Sequence, residues 1–402
     1  MREEERTDAA LSGRPGFASV LSREFARYRA RPWDLVVLTL LPLAFGLLVA
    51  WIFSAAVPRE LPVAVLDDDH SVLSRQVARW IDATPGVRVE ETVADAAAGF
   101  SALRERRVFA LVVIPSGLAR DVYAGRAAAI ELHANAQFSS HAGAVTSAVR
   151  AAVGTLSAGI EIAAREKRGA APVVAQAQFE PIRVQVATLF NESLDYELFM
   201  GGSLLPSLLQ IAAMLAAVTV VGRELKDGTV PAWLACAGGR WPVALAGKLV
   251  VPTAAMLALA VLYAVGFDAG LGYAIRGSAL AIAAGLAALV LASEAMGVLL
   301  LAATLSFRMA LSLVAFYAGA AFAFSGQGFP LMAMPPLARL YAGAIPLTHY
   351  LQLHNRHWLE GAPFAYAGGE LAALAAFVFV GFGLGGLLLA RRGLRPSSWG
   401  RP

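Results

Sequence analysis

Few residues in this chain have the types and spacing that catalysis needs. Ser116 follows a predicted strand, but no G-x-S-x-G elbow surrounds it. His70 comes directly after the acidic run Asp67–Asp69, a pattern that is more typical of a loop cap than of an acid–base pair or metal site. The sequence therefore predicts no catalytic constellation, and we expect the chain not to be an enzyme.

Three histidines lie close together near the C-terminal end. His349, His354 and His357 follow an i, i+5, i+8 spacing, which does not place all three on one helix face. No cysteine or acidic residue is adjacent, and the chain has a single cysteine, Cys236. Metal sites need convergent ligands of these types, so we expect no bound metal.

One acidic residue stands inside a long apolar run. Glu294 is in LASEAMGVLL, near the middle of a predicted membrane span. A carboxyl group in the membrane is costly and usually faces the interior of a helix bundle or a water-filled path. A substrate path, a dimer interface and a local hydrogen bond to Ser293 are all compatible with this position. No further acidic residues accompany it, which disfavours a proton-driven antiporter.

A polar stretch between two apolar runs, residues 222–248, contains a short predicted helix at about 229–238. Gly228 is suited to end the preceding helix in the left-handed conformation, and Thr229 to cap a new N-terminus. Val230, Trp233 and Leu234 follow at helical spacing before Gly238 and Gly239. We expect a helix of about two turns with an exposed Trp-bearing face.

This stretch offers residues for contacts with other elements or proteins. Trp233 and Leu234 cannot bury each other on so short a helix, and such side chains often anchor interfaces. Insertion into the lipid headgroup layer is the alternative. Glu224 is placed to bind the N-terminal helix or a partner protein, or to end a solvated helix.

Composition assigns the chain to the membrane proteins. Of the 402 residues 58% are apolar and 15% are charged, and the mean hydropathy is +0.61. Soluble domains carry nearer a quarter charged residues. The net charge of +4 comes almost wholly from arginine, and because these residues flank apolar runs we expect no nucleic-acid partner.

The apolar runs predict an α-helical integral membrane protein with six spans. Residues 1–32 form a tail with a basic amphipathic helix over 17–31 that lies on the membrane surface. The first span covers 33–57, and the remaining five lie within 197–402, at 198–221, 245–267, 279–305, 309–324 and 371–390.

Residues 58–196, between the first two spans, predict a mixed α/β domain. Strands are expected near 62–69, 87–91, 108–115, 128–134 and 182–190, with helices near 71–82, 94–107, 116–123 and 140–167. A domain of this length can bury its own core.

Basic residues set the predicted orientation. Most of those in the short loops and tails lie in 1–31, 222–248, 308 and 391–401, whereas the opposite loops hold Arg276, Arg339 and Arg356. The sequence thus predicts both termini in the cytoplasm and the α/β domain outside it.

The layout resembles a known family. An amphipathic helix, one span, a large external domain and five spans are similar to an ABC type-2 exporter permease. The supporting residues are GRELKDGT at 222–229, Trp233-Leu234, Gly247-Lys248, FNESLDY at 190–196, Leu204–Pro206, Leu209-Gln210, FSGQGFP at 324–330, Met334-Pro335 and IPLTHY at 345–350.

The resemblance implies a permease in the bacterial inner membrane that pairs with a second copy or a close paralogue. A separate ABC ATPase would bind ATP and Mg²⁺, since this chain lacks a phosphate-binding loop around Gly247-Lys248. The helix after Gly228 would couple to that ATPase. The residues expected to couple are Glu224, Asp227, Gly228, Thr229, Trp233 and Leu234.

Further partners and a gate are implied in the same way. Besides membrane lipids, a periplasmic membrane-fusion adaptor and an outer-membrane channel are expected partners. Gly326, Phe329 and Pro330, with Glu294, would belong to the path or its outer gate. The fifth apolar run either ends in an ordinary loop or re-enters the membrane at 325–335.

Two functions fit this layout. In the first, the chain exports a hydrophobic or amphiphilic substrate such as a drug or a lipid. No residue in the sequence selects among these substrates. In the second, it relays ATPase motion to the external domain without transporting anything. A secondary transporter would need symmetric halves, which one span before the domain and five after it do not provide.

Overall fold

A computed structural model of the chain, which describes residues 14–54, 59–137, 139–167, 189–191 and 195–400, contains six helices long and apolar enough to cross a membrane. These are, in order, the first to sixth spans: Pro32–Phe53, Glu197–Lys226, Trp241–Gly270, Ala279–Thr304, Phe307–Phe324 and Phe364–Arg392. Their number agrees with the prediction of six spans.

The second and third spans extend further than their apolar runs predict. The second continues beyond Val221 to Lys226, and the third begins at Trp241 rather than Leu245. The extension of the second span contains Glu224, which is buried against Lys248 of the third span and against the N-terminal helix. Hydropathy alone ends a span where charges appear, so it misses helical turns that bury paired charges.

Shorter helices flank the spans. An N-terminal helix, Phe17–Ala30, precedes the first span, and a loop helix, Val230–Cys236, joins the second to the third. The fifth span consists of helices Phe307–Gly319 and Ala321–Phe324. Four short pieces follow it before the sixth span: Leu331–Ala333, Pro336–Gly343, Pro346–His354 and Asn355–Leu359.

The chain divides by its internal contacts into two units, Met1–Ala56 with Leu189–Pro402, and Val57–Thr188. The second unit has strands β1 Leu61–Asp67, β2 Val87–Val93, β3 Ala110–Ile114 and β4 Glu131–Ala134. Its helices are α1 Val72–Asp82, α2 Ala96–Arg104, α3 Leu118–Tyr123 and α4 Ser139–Lys167. The strand predicted at 182–190 lies almost wholly outside the described residues.

The strands form one mixed sheet in the order β2-β1-β3-β4. β1 pairs in parallel with β2 and β3, and β4 pairs antiparallel with β3. Alternate residues of β1 enter different cores: Val63 and Val65 pack with α1 and α4, whereas Ala64 and Leu66 pack on the α2 side. The continuous apolar run of β1 is explained by burial on both faces.

The acidic run after β1 caps loops, as the sequence predicts. Asp67 accepts hydrogen bonds from the backbone N–H of His70 and from the Ser74 hydroxyl. Asp69 accepts from the backbone N–H groups of Gly117 and Ala119, at 2.8 and 3.1 Å. The hydrogen bonds from Ser71 and from these N–H groups lower the pKa of Asp69 below its ordinary value.

Glycines let the spans approach each other closely. A Cβ at Gly297 of the fourth span would lie 2.7 Å from the Met214 carbonyl oxygen of the second. A Cβ at Gly381 of the sixth span would lie 2.7 Å from the backbone of Ala295 in the fourth. Small residues of this kind support helix association in membranes, where apolar burial drives it only weakly.

We therefore expect Gly381→Ala to destabilise the chain by about 1–3 kcal/mol, because the added methyl group overlaps the fourth span. The matched control is Gly383→Ala, two residues away on the same helix, where a Cβ meets nothing within 4 Å. It should be neutral or stabilise by up to about 1 kcal/mol. Unfolding of both variants in detergent measures these changes in stability. Equal changes for the two variants would contradict the close packing at Gly381.

Candidate functional site

A buried ion cluster joins the N-terminal helix to the second and third spans. The Lys248 ammonium donates to Glu24 Oε1 at 2.6 Å and to Glu224 Oε1 at 2.5 Å. The side chains of Lys248 and Glu224 are 0% exposed and that of Glu24 is 1% exposed. Three separate chain segments thus meet at one cation.

Two arginines of the N-terminal helix complete the cluster. Arg27 donates to Glu224 Oε1 at 2.8 Å, and Arg23 donates to both oxygens of Glu224 at 3.3 and 3.2 Å. Arg27 also reaches Asp227 at 3.4 Å. With Glu24, these groups make three acids and three bases, so the cluster is neutral, as burial of charge requires.

The electrostatics of Arg23 reflect this pairing. Burial alone would lower the pKa of its guanidinium group, but the charge and hydrogen bonds of Glu224 raise that pKa above its ordinary value. Arg23 therefore stays a cation beside Glu224.

The N-terminal helix meets the third span at a glycine. Val20 is fully buried, and a Cβ at Gly247 would lie 2.8 Å from it. Val20, Glu24 and Tyr28 follow one another at i, i+4 and i+8, so they lie on one buried face of the helix. Phe17 and Phe25 are exposed, which leaves an apolar side free for the membrane surface.

The loop helix ends as the sequence predicts but begins differently. Gly228, Gly238 and Gly239 all have left-handed φ angles, of 69°, 66° and 75°. Thr229 does not cap the helix through its side chain, so that prediction is wrong. Its hydroxyl donates to Glu224 Oε2 at 2.5 Å, so the side chain binds the end of the second span.

The prediction of an exposed Trp233 is also wrong. Trp233 is 1% exposed, and its indole N–H donates to the Ala244 carbonyl at 3.2 Å. Trp241 packs edge-on against it, with ring centroids 5.6 Å apart, and the Lys248 ammonium lies 5.8 Å from its ring centroid. Leu234 is buried as well. Helical spacing identified one face of this helix, but that face points into the protein.

Both chain ends contribute to this burial. The Gly16 N–H donates to the Cys236 carbonyl at 2.8 Å, and the Gly400 N–H to the Leu225 carbonyl at 3.1 Å. Trp399 lies over Gly228. The exposed face of the loop helix is small and consists of Pro231, Ala232 and Ala235.

Glu294 lies between the third and fourth spans. It is fully buried, and its Oε2 accepts from the Thr253 hydroxyl at 2.6 Å. Its Oε1 has no partner among the described residues. The alternative of a bond to Ser293 is not what the structure has, since Ser293 donates to the Leu289 carbonyl.

The chain turns back after the fifth span. Helix ends at Phe324, Gly326 has a left-handed φ of 90°, and Phe329 and Pro330 are exposed. Tyr341 then packs edge-on against Phe324, and its hydroxyl donates to the Tyr317 carbonyl at 3.0 Å. The segment therefore runs back along the last turns of the fifth span.

A buried glutamine links two of the sequence stretches that resemble the family. Gln210 of the second span accepts from the backbone N–H of Leu347, at 2.9 Å, near the start of helix Pro346–His354. His354 is buried between Tyr350 and Trp358, and His357 bonds the Ala362 carbonyl. No group of three or more metal-binding side chains occurs within the described ranges.

Sequence reasoning missed Glu24 and the pairing role of Lys248. The available signal was the spacing of Val20, Glu24 and Tyr28, which places an acid on the inner face of an otherwise basic helix. The role of Glu224 as an anchor for the N-terminal helix was among the alternatives, and the geometry supports that one.

Comparison with known proteins gives one match. A family model described as "ABC-2 family transporter protein" matches residues 32–387. No curated protein and no solved structure matches significantly.

We expect Lys248→Met to cost about 3–5 kcal/mol of stability, because it leaves Glu24 and Glu224 buried beside unbalanced charge. Replacing Glu24 by Gln in the same chain should recover part of the loss. Arg240→Met, at an exposed position of the same loop, should change stability by less than about 0.5 kcal/mol. Thermal unfolding in detergent measures the stability of each variant. Equal losses for Lys248→Met and Arg240→Met would refute the stabilising role of the ion cluster.

Proposed function

The chain belongs to the ABC-2 family of transporter proteins, and from that membership we propose that it is the permease subunit of an ATP-driven exporter. It is a membrane protein, and its family implies an ABC ATPase as partner. ATP and Mg²⁺ are held by that ATPase, and this chain supplies the path for a hydrophobic or amphiphilic substrate.

The observation that carries this proposal is the ion cluster behind the loop helix. Glu224 binds Thr229 at the start of the loop, and the same carboxylate binds Lys248, Arg23 and Arg27. A push on the loop helix therefore reaches the second span, the third span and the N-terminal helix together. This is the property that a coupling helix needs.

The ATPase contacts the exposed face of the loop helix in this proposal. Pro231, Ala232 and Ala235 are small and exposed, so they allow close approach to a groove of the partner. Asp227 and Lys226 lie exposed at its edge. Trp233 and Leu234 lie on the buried side of the loop helix, so they hold the helix in place and do not touch the ATPase.

The orientation follows the distribution of basic residues, with both termini and the loop helix in the cytoplasm of the inner membrane. The α/β domain then lies outside, where a periplasmic adaptor leading to an outer-membrane channel can bind it. A second copy, or a close paralogue, completes the path across the membrane.

Glu294 and the returning segment after the fifth span belong to the path in this proposal. One carboxyl oxygen of Glu294 has no partner within the described part of the chain, and in this proposal it is available to a ligand or a proton. Gly326, Phe329 and Pro330 lie where the fifth span stops and the chain turns back, so a small movement there opens or closes the outer end.

We expect Ala232→Glu and Ala235→Glu to abolish permease-dependent ATP turnover while leaving the fold intact, because both residues are exposed on the loop helix. The matched control is Ala269→Glu, an exposed alanine at the opposite end of the third span. The measurements are unfolding temperature, co-purification with the cognate ATPase, and ATP hydrolysis in vesicles. Normal coupled turnover in both loop variants would refute a coupling role.

The alternative function is relay of ATPase motion to the α/β domain without transport. It is favoured by the domain's own sheet and two cores, which make it a separate folded unit. Vesicles containing the chain and its ATPase distinguish the two. ATP-dependent movement of NBD-labelled phosphatidylcholine or of a lipophilic cationic dye supports export, and ATP turnover without movement of either supports relay.

A further inference from the structure

The first span is packed loosely against the rest of its unit. None of the residues Pro32–Phe53 is fully buried. A cleft of about 400 Å³ runs between it and the second span; we call it the inner cleft. Its walls are Val37, Leu38, Leu41, Pro42 and Phe45 on one side and Leu208, Ile211, Ala212, Leu215, Ala216, Thr219 and Val220 on the other, with Tyr28, Asp34 and Arg223 at one end.

The inner cleft is apolar along its length and polar at one end. Asp34 and Arg223 form a two-pronged ion pair there, with Arg223 Nη2 at 2.8 Å from Asp34 Oδ1. Tyr28 of the N-terminal helix lies beside them. The end therefore carries one acid and one base that already satisfy each other.

The Tyr28 hydroxyl is the unexplained group. Tyr28 is only 5% exposed, yet its hydroxyl has no hydrogen-bond partner among the described residues. A buried hydroxyl left unpaired costs about 1–3 kcal/mol. Tyr28 lines the cleft, and a rotation of its side chain would bring the hydroxyl to a ligand that supplies the missing partner.

The dimensions fit one membrane amphiphile. From Leu208 to Arg223 the second span rises about 22 Å at 1.5 Å per residue. Half the hydrocarbon core of a bilayer is about 15 Å, so the cleft spans one leaflet. Its volume lies within the roughly 300–1,000 Å³ usual for small-molecule sites, which likewise combine apolar walls with a few polar groups.

We propose that the inner cleft is where a neutral or zwitterionic amphiphile from the cytoplasmic leaflet binds before export, with its headgroup at Tyr28 and its chain along Ile211 and Leu215. This rests on the proposed function and names the substrate class and the point of uptake. A net charge on the headgroup is disfavoured, since Asp34 and Arg223 leave no charge uncompensated.

The test uses the full chain with its ATPase in vesicles of phosphatidylethanolamine and phosphatidylglycerol. The probes are photoreactive lysophosphatidylcholine, which is zwitterionic, and photoreactive lysophosphatidic acid, which is anionic, with the same acyl chain. The zwitterionic probe should label the first and second spans several-fold more than the anionic probe. Peptide mapping by mass spectrometry gives the labelled positions.

Two variants and a matched control define the site. Ala212→Trp fills the cleft and should lower labelling about tenfold or more. Tyr28→Phe removes one hydrogen bond and should lower it about fivefold without altering the fold. Ala254→Trp introduces the same bulk at an exposed position on the third span and should leave labelling unchanged.

Each remaining outcome overturns the proposal in a distinct way. Labelling that is insensitive to Ala212→Trp, or that favours the anionic probe, means that the cleft does not bind this class. Photo-crosslinking between two copies at the cleft assigns it to a protein interface. Lost labelling with unchanged ATP-dependent export of the zwitterionic probe makes the bound molecule a structural lipid. Labelling as expected without export of any probe removes the proposed function and leaves only a binding site.

Discussion

The ammonium group of Lys248, buried between Glu24 and Glu224, is the interaction on which this end of the span bundle depends. A buried ion is stable only when its charge is matched and its hydrogen bonds are made. Arg23, Arg27 and Thr229 complete those bonds around Glu224. Because the partners come from separate segments, the N-terminal helix, the second and third spans and the loop are fixed relative to one another.

Packing in the membrane unit is uneven. The fourth span packs closely against the second and sixth through Gly297 and Gly381. The first span buries none of its residues fully, although the ion pair of Asp34 with Arg223 ties its start to the second span. The rigid centre is the feature on which the proposed coupling rests, and the loosely packed first span is the feature on which the proposed amphiphile site rests.

Much of the fold could be predicted from the sequence, because hydropathy and residue spacing are local properties. The six predicted spans correspond to the six long apolar helices, and the strand predicted near 62–69 corresponds to Leu61–Asp67. The left-handed turn at Gly228 was also predictable, since few other residues adopt that conformation. The end of the second span was not, because Glu224 looks like a solvent-facing charge until its partners are known.

The sequence by itself determined that this is a membrane protein with a short helix between its second and third spans, and which residues form one face of that helix. Only the tertiary structure decided the direction of that face. Trp233 points inward against Trp241 and Ala244 of the third span, and Gly16 and Trp399 bring both ends of the chain against the loop. Contacts between residues so far apart in the chain leave no periodic pattern, so spacing identifies a face but not what covers it.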